Sequence, residues 1–404
     1  MGAVALLGVT ATPLTGTLTI ADALSGFQDT TIWLIVLALF IARGFIKTGL
    51  GSRIAYQFVR LLGKRTLGLG YGLIATDLVL APAIPSNTAR AGGVVFPILR
   101  ALSEAYGSRA GDGTARKMGA FITITAFQGT IVTSAMFLTA MAANPLAAKL
   151  AGDMGITISW TGWATAAIVP GMVSLLVVPY LLYKLLAPEI TSTPAATRMA
   201  NEELARMGPM KADEWMMLGT FVLLLVLWIF GPQLGGLLPL GMLAWKDVQQ
   251  ETGAWDTLVW FAALVMMAGF LNKLGLVPWF SKAVGDSLFG VPWTFAFLAL
   301  SLVYLYSHYL VASNTAHVGA MYAAFLGVSI AVGTPPLLAA LVLAFFSNLM
   351  SSMTHYGTGP APLLFGSGYV DLGTWWKLGL LVSLVNVVIW LVLGGLWWKV
   401  LGLW

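Results

Sequence analysis

The sequence predicts an all-α polytopic membrane protein: two inverted-topology repeats, each with a re-entrant helical hairpin and broken transmembrane helices. Three observations lead there. Of 404 residues, 58% are hydrophobic and only 9% are charged, against about 25% charged in soluble domains. The mean hydropathy of +0.87 agrees, and 21 basic plus 16 acidic side chains could not cover the wet surface of a globular chain this long. Second, many apolar stretches fall short of the ~20 residues that a straight span needs, and glycine or proline cuts them. Third, a set of polar motifs recurs at one fixed offset.

Taken in order, the apolar stretches run over 2–20, 31–46, 67–84, 91–102, 118–148, 161–187, 215–231, 255–272, 293–312, 318–333, 336–350 and 376–402. No basic segment precedes residues 2–11, so a cleavable signal peptide is not expected. Breaks fall at Pro82, Pro85, Pro97, Pro292 and Pro335-Pro336. Broken backbone at membrane depth is tolerated only where it lines a cavity or is buried in protein. Trp375-Trp376 and Trp397-Trp398 stand at segment ends, as interfacial anchors do.

The long polar stretch 188–214 carries Glu189, Arg198, Glu202, Glu203, Arg206, Lys211, Asp213 and Glu214. It divides the chain into a first repeat, 1–187, with a hairpin at 67–102, and a second, 215–404, with a hairpin at 292–330. The halves match in three places. Asp29-Thr30-Thr31-Ile32-Trp33 returns as Asp256-Thr257-Leu258-Val259-Trp260, 227 residues on. Lys47-Thr48-Gly49-Leu50 returns as Lys273-Leu274-Gly275-Leu276 at 226, and Ser86-Asn87-Thr88-Ala89 as Ser313-Asn314-Thr315-Ala316 at 227. Arg43, Lys47, Arg53, Arg60, Lys64 and Arg65 face no acid between 43 and 65, whereas 270–290 holds Lys273, Lys282 and Asp286. Basic loops stay cytoplasmic, so that difference places the two loops on opposite sides and inverts the repeats.

The net charge of +5 does not point to nucleic acid, because the basic residues sit in short loops between spans. With no cysteine, disulfides, thiolate metal sites and cysteine nucleophiles are excluded. No GxxxxGK[ST], HExxH or GxSxG is present, so neither ATP-driven transport nor hydrolytic catalysis is expected. We expect no enzyme, no metal site and no cofactor.

The candidate site is the repeated tripeptide. In Pro85-Ser86-Asn87-Thr88-Ala89-Arg90 a proline stops one arm, and Ser, Asn and Thr favour capping the next. Such a tip offers hydroxyls, an amide and a helix N-terminus, all suited to a carboxylate. Ser313, Asn314 and Thr315 repeat it, and inverted repeats would bring both tips together near the bilayer midplane. Arg90 and His317 each lie two residues past the Thr. Arg90 has two readings, a fork onto a substrate carboxylate or a pair with Asp77. His317 is a cation or a neutral donor. Secondary candidates are Asn144, in Ala142-Ala143-Asn144-Pro145, and Thr358 and Gly359, before Pro360. Such breaks offer carbonyls to a cation or amides to an anion. Asp77, His308 and His355 are candidates for proton relay or for hydrogen bonding inside the bundle.

Two Ser-Asn-Thr copies on opposed hairpins resemble the divalent anion/sodium symporter family. The stretches Pro85–Arg90 and Gly63-Lys64-Arg65-Thr66-Leu67 look like its exchanger branch of citrate/succinate antiporters and plastid 2-oxoglutarate/malate translocators. The resemblance covers nearly the whole chain. It implies a homodimer with a scaffold and a mobile transport domain, an elevator mechanism, and carboxylate binding by Ser86, Asn87, Thr88, Ser313, Asn314 and Thr315. It implies residence in a bacterial inner membrane or a plastid inner envelope, with small carboxylate anions and the lipid bilayer as partners. Against the family, the first repeat reads as N-terminally shortened, and the 14 residues between Phe230 and Trp245 are too few for a span. The Pro-Pro-Asn type break of sodium-coupled relatives is not kept. The expected function is therefore exchange of di- or tricarboxylates, on the argument that Arg90 and His317 are fixed substitutes for bound sodium. The alternatives are a sodium-coupled dicarboxylate or sulfate symporter, in which sodium would be bound, and a non-transporting fragment or scaffold.

Overall fold

The structure, a computed structural model, describes residues 2–234, 249, 251–288 and 290–404. It is helical throughout, and among the described residues the one β contact is an isolated bridge between Arg65 and Ser192. Seven helices among the described residues are long and apolar enough to cross a membrane. Residues 235–244 of the short Phe230–Trp245 stretch lie outside the described residues.

The helices run α1 (Gly2–Leu14), α2 (Ile20–Ala23), α3 (Thr30–Thr48), α4 (Leu50–Leu62), α5 (Thr66–Leu80), α6 (Asn87–Arg90), α7 (Phe96–Ala105), α8 (Gly119–Met136), α9 (Ala143–Gly152) and α10 (Trp160–Leu185). After α11 (Pro194–Met207) and α12 (Ala212–Leu234) come α13 (Thr252–Lys273), α14 (Leu276–Ser287), α15 (Trp293–Ser307), α16 (Asn314–His317), α17 (Ala323–Ala331), α18 (Pro336–Leu349), α19 (Pro360–Gly366), α20 (Leu372–Val388) and α21 (Gly395–Val400).

Local structure repeats with the sequence. Asp29 caps α3 by accepting the Thr31 N–H at 2.9 Å. The α3–α4 and α13–α14 junctions each turn on a glycine in the left-handed region, Gly49 at φ +80° and Gly275 at φ +88°, a conformation that costs a side-chain-bearing residue about 1–2 kcal/mol. Ser86 and Ser313 both cap four-residue helical turns. Both turns run into a five-residue π turn, Ala91–Val95 and Val318–Tyr322, again 227 residues apart.

The core is built on α8 and α18, the helices that precede the two breaks. Every residue of α8 is buried, as is α18 from Leu338 onward. They pack on each other, and α8 also packs on α5 and α10. α10 is pinned to the C-terminal segment by tryptophans: Trp390 Nε1 donates to Ser174 Oγ at 3.1 Å and Trp398 Nε1 to the Ala166 carbonyl at 2.8 Å. A buried indole that finds an acceptor keeps its large apolar area without an orphaned N–H.

The polar stretch 188–214 is more than a tether. Within it α11 packs on α4. Backbone bonds tie its entry to the first repeat: Thr66 N–H to the Thr191 carbonyl at 3.1 Å and Thr193 N–H to the Lys64 carbonyl at 2.9 Å. At its exit Arg53 grips Glu214 with Nε at 2.6 Å and Nη2 at 3.0 Å, while Nη1 donates to the Gly208 carbonyl at 2.9 Å. Polar composition marked a boundary, and of its charges Glu214 docks on Arg53 while Arg198 with Glu202 and Arg206 with Glu203 pair along α11 itself.

The second break is shaped by a close approach. A Cβ at Gly379 of α20 would stand 2.5 Å from the Ser352 carbonyl oxygen and 2.7 Å from Met353 Cα. That same carbonyl accepts Gln128 Nε2 of α8 at 2.9 Å. Gly379→Ala must therefore push α20 off the break. It is expected to destabilise the chain by about 1–3 kcal/mol, read as a lowered thermal midpoint in detergent.

Candidate functional site

The two tips share a serine cap and differ in what precedes it, Pro85 before Ser86 and Ala312 before Ser313. Pro85 biases Ile84 away from helical backbone and ends the first arm. Ser86 then adopts extended backbone, φ −131°, and its hydroxyl accepts the Ala89 N–H at 3.1 Å. In the second copy Ser313, φ −145°, accepts the Ala316 N–H at 3.4 Å. A hydroxyl used as an acceptor keeps its own O–H as a donor. The first amides of a helical run lack intrahelical acceptors, so each tip also presents N–H groups.

The structure brings the two tips together. Ser86, Asn87, Thr88, Ser313, Asn314 and Thr315 line one cavity of about 300 Å³, the lower end of small-molecule pockets. Thr358 and Gly359 of the second break line it too. Asn87 Nδ2 donates to Thr358 Oγ1 at 3.1 Å, so the first tip is bonded across to the second half. Asn314 Nδ2 is held by the Ser347 carbonyl at 2.8 Å and by Ser351 Oγ at 2.6 Å. A Cβ at Gly359 would collide with Thr88 Oγ1, so only glycine leaves this wall open.

Three sequence candidates stand elsewhere. Arg90 is completely buried and faces away from the cavity. Its Nε donates to Asp77 Oδ1 at 3.0 Å, Nη1 to the Ile84 and Ala140 carbonyls at 2.7 and 2.6 Å, and Nη2 to Ser134 Oγ at 2.9 Å. Asp77 Oδ2 also accepts the Thr133 hydroxyl. A guanidinium out of water needs an anion and a full set of acceptors. Those partners engage it, so of its two readings the structure shows the pair with Asp77 and leaves the guanidinium outside the cavity lining. His317 is likewise completely buried and is not part of the lining. Asn144 seals the end of α8, donating Nδ2 to the Ser134 and Phe137 carbonyls at 2.8 and 2.9 Å and accepting Asn348 Nδ2 at 2.8 Å.

Leu39, Pro85, Met141, Ala142, Thr257, Trp260 and Ala312 complete the lining. Sequence reasoning used Thr257 and Trp260 only as markers of the repeat. The signal was present, a polar–aromatic pair kept at the repeat offset, but nothing local says which copy faces the cavity. Among the described residues no Lys, Arg, His, Asp or Glu is in this lining. It offers an anion hydroxyls and backbone amides beside the Trp260 indole, the carboxamide N–H groups of Asn87 and Asn314 being given to protein acceptors. Such neutral donors fix orientation without a counter-charge.

Comparison with known proteins agrees with this geometry. The family described as "Sodium:sulfate symporter transmembrane region" matches residues 1–404. The candidate malate transporter YflS of Bacillus subtilis is 58% identical, over 100% of this chain and 87% of its own length. Dicarboxylate transporter 1, chloroplastic, of Arabidopsis thaliana is 54% identical, over 100% of this chain and 75% of its own. The citrate/succinate antiporter of Escherichia coli (strain K12) is 36% identical, over 94% and 80%. Among solved structures, the YdaH transporter of Alcanivorax borkumensis, described as having an unusual topology, superposes with a TM-score of 0.59 at 14% identity, covering 92% of this chain and 86% of that one. That likeness supports the fold alone.

Two outcomes test the site. Asp77→Asn or Arg90→Gln leaves one buried charge unpaired and is expected to cost about 3–5 kcal/mol of stability. The joint change Asp77→Leu/Arg90→Met is expected to unfold later than either single variant by the same thermal measurement. Gly359→Ala is expected to keep the thermal midpoint of the unliganded chain while weakening dicarboxylate binding by about tenfold or more, that is by 1.4 kcal/mol or more.

Proposed function

The chain belongs to the sodium:sulfate symporter transmembrane family and is an integral membrane transporter rather than an enzyme, and from that premise we propose that it exchanges di- or tricarboxylates across the membrane. The observation that carries this reading is the single cavity shared by both Ser-Asn-Thr tips. Two donor-rich tips facing one space suit a ligand with an anionic group at each end. The printed names of the relatives, dicarboxylate transporters and a citrate/succinate antiporter, support the same class of cargo. The reading includes an elevator-type movement in a homodimer, with the repeats 1–187 and 215–404 in inverted orientation around the site.

Arg90 is neutralised by Asp77, so it places no net charge beside the cavity. What it does is fill a nest. The Ile84 carbonyl of the first tip and the Ala140 carbonyl of the first break converge on its Nη1. Two carbonyls from opposed breaks suit a cation, and a fixed guanidinium leaves no room there for a mobile one. One-for-one exchange of dianions moves no net charge and needs no accompanying ion. Sodium-coupled uptake is the second reading, favoured by the description of the matched family.

Reconstitution separates the two. Uptake of labelled malate is expected only into liposomes that hold internal dicarboxylate, and it is expected not to change when external sodium is replaced by potassium. Rapid uptake by empty vesicles under a sodium gradient would reverse the choice.

A further inference from the structure

The second half of the chain solves the charge problem differently from the first. The repeat offset of 227 carries Arg90 onto His317 and Asp77 onto Tyr304. Where the first repeat holds a buried ion pair, the second holds two rings, His317 and Tyr304, with centroids 4.7 Å apart. No Lys, Arg, Asp or Glu occurs anywhere from 287 to 370. All three histidines of the chain, His308, His317 and His355, lie in that span. The second tip, its arms and the break that follows are thus without a permanent charge, and histidine alone can supply one there.

Two of these histidines form a buried pair beside the cavity wall. His308 and His317 are fully buried, with ring centroids 5.3 Å apart. His308 Nε2 sits 2.8 Å from the Gly357 carbonyl, one residue before the lining residue Thr358. A carbonyl only accepts, so Nε2 carries the hydrogen and Nδ1 keeps a lone pair. That Nδ1 has no partner, and neither ring nitrogen of His317 has one. The Tyr304 carbonyl stands beside His317 outside hydrogen-bond geometry, an acceptor within reach of a second N–H. Buried polar atoms are seldom left unpaired. Here the unpaired atoms include lone pairs that a proton would satisfy.

The surroundings set the sign of the linkage. Tyr304 Oη is engaged by Ser347 Oγ at 2.8 Å, and Tyr322 Oη donates to the Ala340 carbonyl at 2.8 Å. The other titratable groups on elements packed around the pair are Tyr306, Tyr309, Tyr356, His355, Lys149 from α9, and Asp256 and Lys273 near the two ends of α13. His355 Nδ1 accepts Trp376 Nε1 at 3.2 Å, and Lys149 is paired with Asp153 and Asp29 at 2.9 and 3.5 Å. Among the described residues the one carboxylate on these elements is Asp256, which is exposed in the first turns of α13. A proton on the pair would therefore lack a counter-charge while the cavity is empty and gain one when a dianion enters.

We propose that the His308–His317 pair is a proton-binding site linked to the cargo, taking up a proton when a dicarboxylate occupies the cavity and releasing it when the cavity empties. This rests on the carboxylate-exchange reading and adds a proton to its binding equilibrium. Linkage is reciprocal, so bound substrate must strengthen proton binding as much as the proton strengthens substrate binding.

The test is calorimetric titration of malate into the purified chain, in buffers of different ionisation enthalpy, between about pH 6 and 8. In that range carboxylates of ordinary pKa, about 4, stay ionised and imidazole titrates. The expected result is uptake of up to one proton per malate, with affinity falling as pH rises, by at most about tenfold per pH unit. His317→Gln and His308→Gln are expected to abolish the uptake and flatten the pH profile while malate still binds. Malate binding with no proton exchanged across the range would overturn the proton site and leave the exchanger reading intact. Uptake unchanged in both variants would overturn it as well. Failure of the wild-type chain to bind any carboxylate would overturn both. The wild-type proton count decides even if a variant does not fold.

Discussion

The Arg90 guanidinium is the brace on which the first half of the site depends. It reaches Asp77 on α5, the Ile84 carbonyl at the tip, Ser134 on α8 and the Ala140 carbonyl at the first break. Four separate pieces of chain, two of them irregular backbone, are tied through one side chain. Breaks in membrane helices leave carbonyls that lipid cannot satisfy, and each orphan costs several kcal/mol. Arg90 satisfies two of them at once and fixes where the tip stands relative to α8. Ser86 and Asn87 point into the cavity because that frame holds still.

The second half builds the same shape without the ion. Ser313 repeats the cap, Val318–Tyr322 repeats the π turn, and Asn314 is anchored to Ser347 and Ser351 instead of to a charged brace. The halves thus share geometry and differ in charge. A charge-paired tip faces a tip whose buried His308 and His317 keep ring nitrogens without partners, across a lining with no ionisable side chain among the described residues. That asymmetry makes the cavity neutral when empty. Its described lining carries no side-chain charge of its own to meet that of an anionic occupant.

Much of this was legible in the residues. Paired Ser-Asn-Thr motifs, set in apolar sequence, located both tips, because capping is a local transaction between a side chain and the next three amides. The glycine turns at Gly49 and Gly275 were marked by the same repeat. What the chain order hid was the destination of long side chains. Arg90 lies two residues beyond Thr88, and in the sequence a substrate carboxylate and Asp77 were both open to it. The choice depends on which way the helix turns Arg90, and that is set by packing against α8. Asn144 is a similar case: its place beside a proline marked a break correctly, but its amide closes the end of α8 instead of facing the cavity.

By itself the sequence determined that the protein is a helical membrane chain, that it repeats, and which two tripeptides make its tips. Composition, period and capping act over a few residues and carry their meaning with them. The tertiary structure alone decided that both tips open into one cavity with Thr257, Trp260, Thr358 and Gly359, and that the charge two residues behind one tip is spent. It also placed Tyr304 and His317 where the first half holds an ion pair. Those outcomes depend on contacts between residues as many as 271 apart, as for Asn87 and Thr358, and no local rule of spacing reaches that far.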